Sequence, residues 1–239
     1  MYILGINAYH GDASACLYRD GELIAATEEE RIRRVKHWAG LPSEAIRFCL
    51  QEGGITLTEV DHITVSKKPF AKLTKKIGHT LQRLRSLHTL KDRVSNSGNI
   101  RSIKNDLVEA LGADSTKTKA KVHHIEHHRS HMASGFYVSP FEDAALLSID
   151  GMGDFSSTMR AVGSGGQIEV IDSVSYPHSL GFFYTALTQF LGFPKYGDEY
   201  KVMGLAPYGK ALFVKELSNL VVLKDKGLFE LNEKYFSHF

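Results

Sequence analysis

The chain has 239 residues, 43% of them hydrophobic and 23% charged, with a net charge of +2. That length can bury a sizeable core, and the composition is that of an ordinary globular protein, which excludes disorder throughout. Two cysteines, Cys16 and Cys49, give no support for a disulfide framework and read as small core residues in a reducing compartment. No apolar run approaches membrane-spanning length and the N-terminus has no basic leader, so a cytoplasmic protein without a membrane partner is expected.

In chain order, Tyr2 to Asn7, Ala13 to Tyr18 and Glu22 to Thr27 read as strands of a meander, with Asp20-Gly21 as a hairpin turn. The charged run from Glu28 to Arg34 reads as a solvated helix or strand end, and Trp38 as a packing residue. Pro42-Ser43-Glu44 starts a helix that Gly53-Gly54 ends. A strand follows at Asp61 to Ser66.

Lys67 to Lys104 then holds eleven Lys or Arg against the single acid Asp92. Phe70, Leu73, Ile77, Leu81, Leu84, Leu87 and Leu90 recur there at helical spacing, which predicts an amphipathic helix with a cationic outer face. A second helix runs to about Leu111, so residues 67–111 form a basic helical insertion. A solvated or covered face is the plain account of that charge. Nucleic acid is the sharper one, but no aromatic residues after Phe70 interleave the basic ones to stack bases.

Lys121 to Glu126 reads as a strand, His128 to Tyr137 as a helix, and Ala144 to Ile149 as a buried strand. Phe155 to Val162 and Gln167 to Val174 flank Gly163-Ser-Gly-Gly166 as a second hairpin, and Ser179 to Leu191 has the apolar spacing of a helix. The class is α/β, with two hairpins each feeding helices.

Within Glu126-His127-His128-Arg129-Ser130-His131, His127 and His131 stand four residues apart. On a helix both imidazoles would aim at one point, where neutral ring nitrogens can share a divalent cation. His123 with His127 and His124 with His128 have the same spacing, so spacing alone does not choose. A carboxylate is the natural third ligand, from Asp150, Asp154 or sequence outside the chain. In Asp150-Gly-Met-Gly-Asp154 the glycines would let backbone amides approach a phosphate; a tight acidic turn is the plain alternative. His10-Gly11-Asp12 breaks the first two strands where an α/β sheet presents site residues, and Tyr196 to Gly209 is a glycine-rich stretch carrying Asp198, Glu199 and Lys201.

These segments resemble the nodulation-protein (NodU) type of O-carbamoyltransferase, to which antibiotic carbamoyltransferases also belong. The likeness rests on His10-Gly-Asp-Ala-Ser-Ala, Glu28 through Gly40, Glu126 through His131, Ser139-Pro-Phe, Ile149 through Asp154, Pro177-His-Ser-Leu-Gly181 and Tyr196 through Ala206, and covers nearly the whole chain. It implies an actin and sugar-kinase-like (ribonuclease H-like) fold with a mixed sheet, of which residues 1–239 would be the N-terminal part. The later half and a second domain that makes carbamoyladenylate from carbamoyl phosphate and ATP would lie outside.

The resemblance further implies that His127 and His131 bind an iron-type metal whose third ligand is an aspartate of the missing half. Asp150, Gly151, Gly153, Asp154, Lys201 and Gly204 would line the nucleotide, and His10 with Asp12 would stand near the transfer site. The acceptor would be a hydroxyl-bearing small molecule or glycan, as in secondary-metabolite or glycan modification, and the isolated chain would lack full activity. A small-molecule kinase of the same superfold and a non-catalytic nucleic-acid-binding module are the rival functions.

Overall fold

The computed structural model describes residues 1–68, 71–72 and 103–236. Two compact units are present, Met1–His127 and His128–Phe239. In the first, β1 (Tyr2–Asn7), β2 (Ser14–Arg19) and β3 (Glu22–Glu28) form the expected antiparallel meander. Asp20 and Gly21 turn it at φ 53° and 90°, the left-handed conformations that an Asp-Gly hairpin supplies. After α1 (Glu29–Arg33) and α2 (Ser43–Glu52), β4 (His62–Val65) pairs parallel to β1; after α3 (Ile103–Leu111), β5 (Lys121–His124) pairs parallel to β4. The mixed sheet has the order β3-β2-β1-β4-β5.

Strand alternation sends Leu4, Ile6, Ala15, Leu17, Ile63 and Val65 to one face. There they meet Ala45, Ile46, Cys49 and Leu50 of α2 and Ile103 and Leu107 of α3. Each fully buried Leu or Ile contributes about 1.5–3 kcal/mol, so this face stabilises the unit. Both cysteines are free; burial pushes the Cys49 thiol up to about 11. Gly5 is required opposite Cys16, because a Cβ there would fall 2.6 Å from the sulfur. Of the basic insertion, Ile103–Leu111 is helical as expected. The stripe from Phe70 to Leu90 lies outside the described residues.

The charged run after β3 departs from the sequence expectation. Glu29 in α1 is fully buried. Pro42 opens α2 with no side-chain cap, and the Glu29 carboxylate takes that place by accepting from the amides of Glu44 (3.2 Å) and Ala45 (2.7 Å). Arg33 donates to Glu29 through Nε (2.5 Å) and to Ser43 Oγ (3.0 Å), and its guanidinium lies 4.6 Å over the Trp38 ring. Charge periodicity alone does not reveal this, since the acceptors are amides of another helix. Trp38 packs, as expected, against Gly40.

In the second unit, β6 (Asp143–Gly153), β7 (Ser156–Ser164) and β8 (Gln167–Ser175) form an antiparallel sheet. The helix α4 (His127–Phe136), whose first residue closes the first unit, places Met132 against Met159 and Ala161. Gly165 and Gly166 make the second hairpin, at φ 54° and 73°. The helix expected near Ser179 is α5 (Leu180–Phe190). Beyond it lie α6 (Glu199–Leu205), within the glycine-rich stretch from Tyr196 to Gly209, then α7 (Val214–Leu217) and a short hairpin of β9 (Val221–Leu223) and β10 (Phe229–Leu231), whose residues carry no clear sequence pattern.

The acidic glycine segment also differs. Instead of turning at Asp150, β6 continues to Gly153 with an irregularity after Ile149, and the left-handed pair is Asp154 and Phe155 (φ 50° and 69°). The glycines are thus in the strand and the acidic and aromatic residues make its turn.

Candidate functional site

The histidine cluster is sorted by its partners. His123 Nε2 is 2.9 Å from His62 Nδ1 on the neighbouring strand, and His124 Nδ1 is 3.2 Å from the Lys67 carbonyl. His128 is fully buried between Ser148 Oγ (2.8 Å) and the Ser156 carbonyl (3.0 Å). Neighbouring helix positions differ by about 100° in direction, so anchoring His128 inward turns His127 and His131 to another side of α4. His127, His131 and Asp150 offer ligand atoms all within 4.8 Å of one another. His131 Nε2 is 3.6 Å from Asp150 Oδ2.

The third ligand was expected from Asp150, from Asp154 or from an aspartate outside the chain; of the two carboxylates within it, Asp150 is the one that lies beside the imidazoles. Donors on one divalent ion at about 2.0–2.2 Å stand roughly 3–4 Å from one another, so the trio needs only slight contraction to share an ion. Two imidazoles and one carboxylate make a donor set suited to iron and similar divalent metals. Asp154 sits in the turn beyond, and Gly153 pairs with Ser156 at its base.

The backbone at Asp150 is held by Ser179 and Gly181 of the Pro177–Gly181 segment. Ser179 caps α5, accepting from the Phe182 amide (3.0 Å) and donating to the Gly151 carbonyl (2.6 Å). A Cβ on Gly181 would fall 2.6 Å from Gly151 Cα, so only glycine lets the helix start approach β6 so closely. The Gly151 amide donates to Asp150 Oδ1 at 2.6 Å. The spacing Ser179-Leu-Gly181 just before an apolar helix is the signal that could have found this.

His10 and Asp12, expected together, face different partners. The ring of His10 stands edge-on to His127 with centroids 6.0 Å apart. Asp12 Oδ1 instead lies 2.8 Å from His37 Nδ1. His37 belongs to the Glu28 to Gly40 segment, and its residue type alone does not reveal this pairing. Lys201 is ion-paired to the buried Asp198 (2.6 Å), which raises the lysine and lowers the carboxyl from their ordinary pKa values. Gly204 lies on α6 with open space where a Cβ would be. Neither is joined to the Asp150 cluster by the contacts that hold it: Lys201 is engaged by Asp198, and α6 is tied to α5 through Thr185 Oγ1 on Glu199 (2.5 Å).

Fold and side chains together define a mixed α/β protein whose helix α4 and strand β6 bring a His-His-Asp trio together. The chain belongs to the family described as carbamoyltransferase N-terminus, whose pattern matches residues 2–239. An uncharacterized protein of Synechocystis sp., sll1178, is 39% identical over 99% of this chain and 40% of its own length. Nodulation protein NolNO of Sinorhizobium fredii is 36% identical over 85% of this chain and 28% of its own length. The chain therefore spans well under half the length of these relatives. Among solved structures, YeaZ from Pseudomonas aeruginosa matches with a TM-score of 0.41 and 15% identity, covering 74% of this chain and 67% of that one. A Ppx/GppA phosphatase of Aquifex aeolicus matches at 0.35 and 14% identity, covering 88% and 64%.

Proposed function

We propose that this chain is the carbamoyl-transfer part of an ATP-dependent O-carbamoyltransferase. In this reading a carbamoyl group passes from carbamoyladenylate, made from carbamoyl phosphate and ATP, to a hydroxyl of a small-molecule or glycan acceptor. The observation that carries it is the His127–His131–Asp150 trio in a chain of the carbamoyltransferase N-terminus family. An actin-like fold is part of the reading, supported by a sheet ordered β3-β2-β1-β4-β5 in which a meander leads into parallel strands. Carbamoyladenylate is assigned to a second domain outside these residues, as the greater length of the relatives allows. The 67–111 insertion is a feature of the transfer domain.

His127, His131 and Asp150 are the residues that would hold a divalent metal, iron by the donor set. Such an ion supplies Lewis-acid polarisation of the carbamoyl carbonyl. Ser179 and Gly181 fix the backbone from which Asp150 projects, so the carboxylate is oriented before substrate arrives. The strand end from Asp150 through Gly151 and Gly153 to Asp154 is assigned to the nucleotide side, and Lys201 with Gly204 to a later nucleotide segment. For Lys201 that role requires sharing its ammonium with Asp198. His10, against His127, and Asp12 are assigned to the transfer side, and AMP is the leaving group.

The test is product mass. The natural protein containing this chain, given carbamoyl phosphate, ATP and a hydroxyl acceptor, should yield AMP, pyrophosphate and an acceptor heavier by a carbamoyl group. A phosphoryl-bearing product would instead establish the kinase reading. This polypeptide alone should form no carbamoylated product from carbamoyl phosphate and ATP; product from it alone would refute the division of labour.

A further inference from the structure

We infer that Tyr9, bonded to Asp106 of α3, is a positioning residue for the metal site: it sets His10 against His127 and so fixes one ligand ring before an ion arrives. The inference rests on the reading of His127, His131 and Asp150 as metal ligands. It adds the means by which the first unit orients His127.

Tyr9, His10, Asp106 and His127 all belong to Met1–His127. In the register of the three parallel strands β1, β4 and β5, Ile6, Val65 and His124 lie side by side, so the strands end level with one another. The Ser66 amide, just past β4, donates to the Ile6 carbonyl (3.3 Å), and the Ile125 amide, just past β5, donates to the Val65 carbonyl (2.9 Å). His10 follows β1 and His127 follows β5, each three residues beyond the last residue of its strand. The outer members of such a trio are about 10 Å apart, so side chains beyond their carboxyl ends can meet over β4. His10 and His127 do so, edge-on, with ring centroids 6.0 Å apart and planes at 70°. A ring held on that side limits how the His127 imidazole can turn.

Tyr9 aims His10. Its backbone is left-handed (φ 63°), a conformation that a bulky residue keeps only where surrounding contacts hold it. The Tyr9 amide donates to the Gly40 carbonyl (3.3 Å), and the Tyr9 hydroxyl donates to Asp106 Oδ2, 97 positions along the chain. The ring between those two bonds packs against the core of the first unit. Burial, with the Asp106 carboxylate beside it, pushes the phenol above its ordinary pKa, so the hydroxyl keeps its proton and remains the donor. Asp106 is seated in turn by α3, whose Ile103 and Leu107 are buried in the same core, and by Arg47 of α2, which donates to the Ala110 carbonyl.

Asn7 closes the far side of the loop, donating to the Asp12 carbonyl (3.1 Å) and accepting from Ser66 Oγ (2.9 Å). The Tyr9 hydroxyl anchors the near side, from which His10 departs. The end of the 67–111 insertion thereby acquires a part in the site.

The experiment is Fe(II) affinity of the natural protein containing this chain, measured anaerobically by competition with a chelator and paired with thermal melts. Tyr9→Phe keeps the ring and its packing but removes the hydroxyl, and should weaken Fe(II) binding by about 10-fold. Asp106→Ala should do the same; Asp106→Asn, whose amide oxygen still accepts from the phenol, should recover most of the affinity. His10→Ala should weaken binding by ~10–100-fold, and adding Tyr9→Phe to it should change nothing further, because Tyr9 acts through His10. Val108→Ala, on the same helix and packed against the same core, should lower Tm without moving the affinity. Affinity unchanged in Tyr9→Phe, losses that multiply in the double variant, or an equal loss in Val108→Ala would overturn the inference and leave the metal reading standing. An unaltered protein that binds no Fe(II) would take down that reading and this inference with it.

Discussion

In the first unit α2 and α3 close over one sheet face, leaving Leu4, Leu17, Ile46, Ile63 and Leu107 with no more than a trace of exposure. In the second, Met132, Met159 and Ala161 are the buried centre of the β6–β8 sheet, while Leu147, Ile149 and Ile171 on its strands and Phe190, Tyr208 and Leu223 beyond are largely exposed. Beside that core, the left-handed Asp12 and His37 of the first unit's loops are tied by hydrogen bonds from Asn7, to Glu30 and between Ala13 and Trp38. The second unit positions Asp150 by local devices instead, a serine cap and a glycine contact.

Cavity formation should expose the contrast most strongly. Leu107→Ala empties a fully enclosed site and should cost about 4 kcal/mol in denaturant unfolding, whereas Met159→Ala, in the thinner cluster, should cost about 2. Equal losses would break the comparison. Glu29→Ala should cost about 3 kcal/mol, since it leaves the Arg33 guanidinium and the first amides of α2 without their acceptor. Thermal melts of this variant should show the loss as a clearly lowered Tm.

Gly181→Ala should cost about 1–3 kcal/mol through overpacking against Gly151. Because the strain is delivered to the backbone at Asp150, it should also weaken metal retention, read as metal per chain after gel filtration. The smallest effect concerns the ion pair between Arg160 and Asp172, at 2.8 and 2.5 Å. Arg160 holds the Asp172 carboxyl below its ordinary value. A carboxyl lowered on folding adds stability above its unfolded pKa, about 3.9, and that stability is lost as pH falls through the lower folded value. Asp172→Asn should therefore lower Tm slightly at neutral pH, and the difference should vanish toward the acid end of a pH series.

Most strands and helices that bury one face were legible, because period-two and helical apolar spacing report such faces directly. The boundaries of β1, α2, α5 and the Asp20-Gly21 turn follow from that pattern and from turn chemistry. At the site, the four-residue spacing of His127 and His131 could be read in advance, with Asp150, Asp154 or a residue outside the chain left as the third ligand. Which carboxylate comes near could not, because β6 runs through its glycines and turns only at Asp154 and Phe155. Glu29 was hidden because its ligands are backbone amides fifteen and sixteen residues along the chain. The pairing of Asp12 with His37 spans 25 residues and depends on the Trp38 carbonyl meeting Ala13, a contact no residue type advertises.

The most direct test of the account is metal content, measured by elemental analysis after anaerobic loading with Fe(II) and desalting of the natural protein containing this chain. The unaltered protein should retain close to one ion per chain, and His127→Ala, His131→Ala and Asp150→Ala should each retain almost none while keeping the unaltered circular dichroism spectrum. Full retention in all three variants, or none in the unaltered protein with Fe(II), Mn(II) or Zn(II), would contradict it.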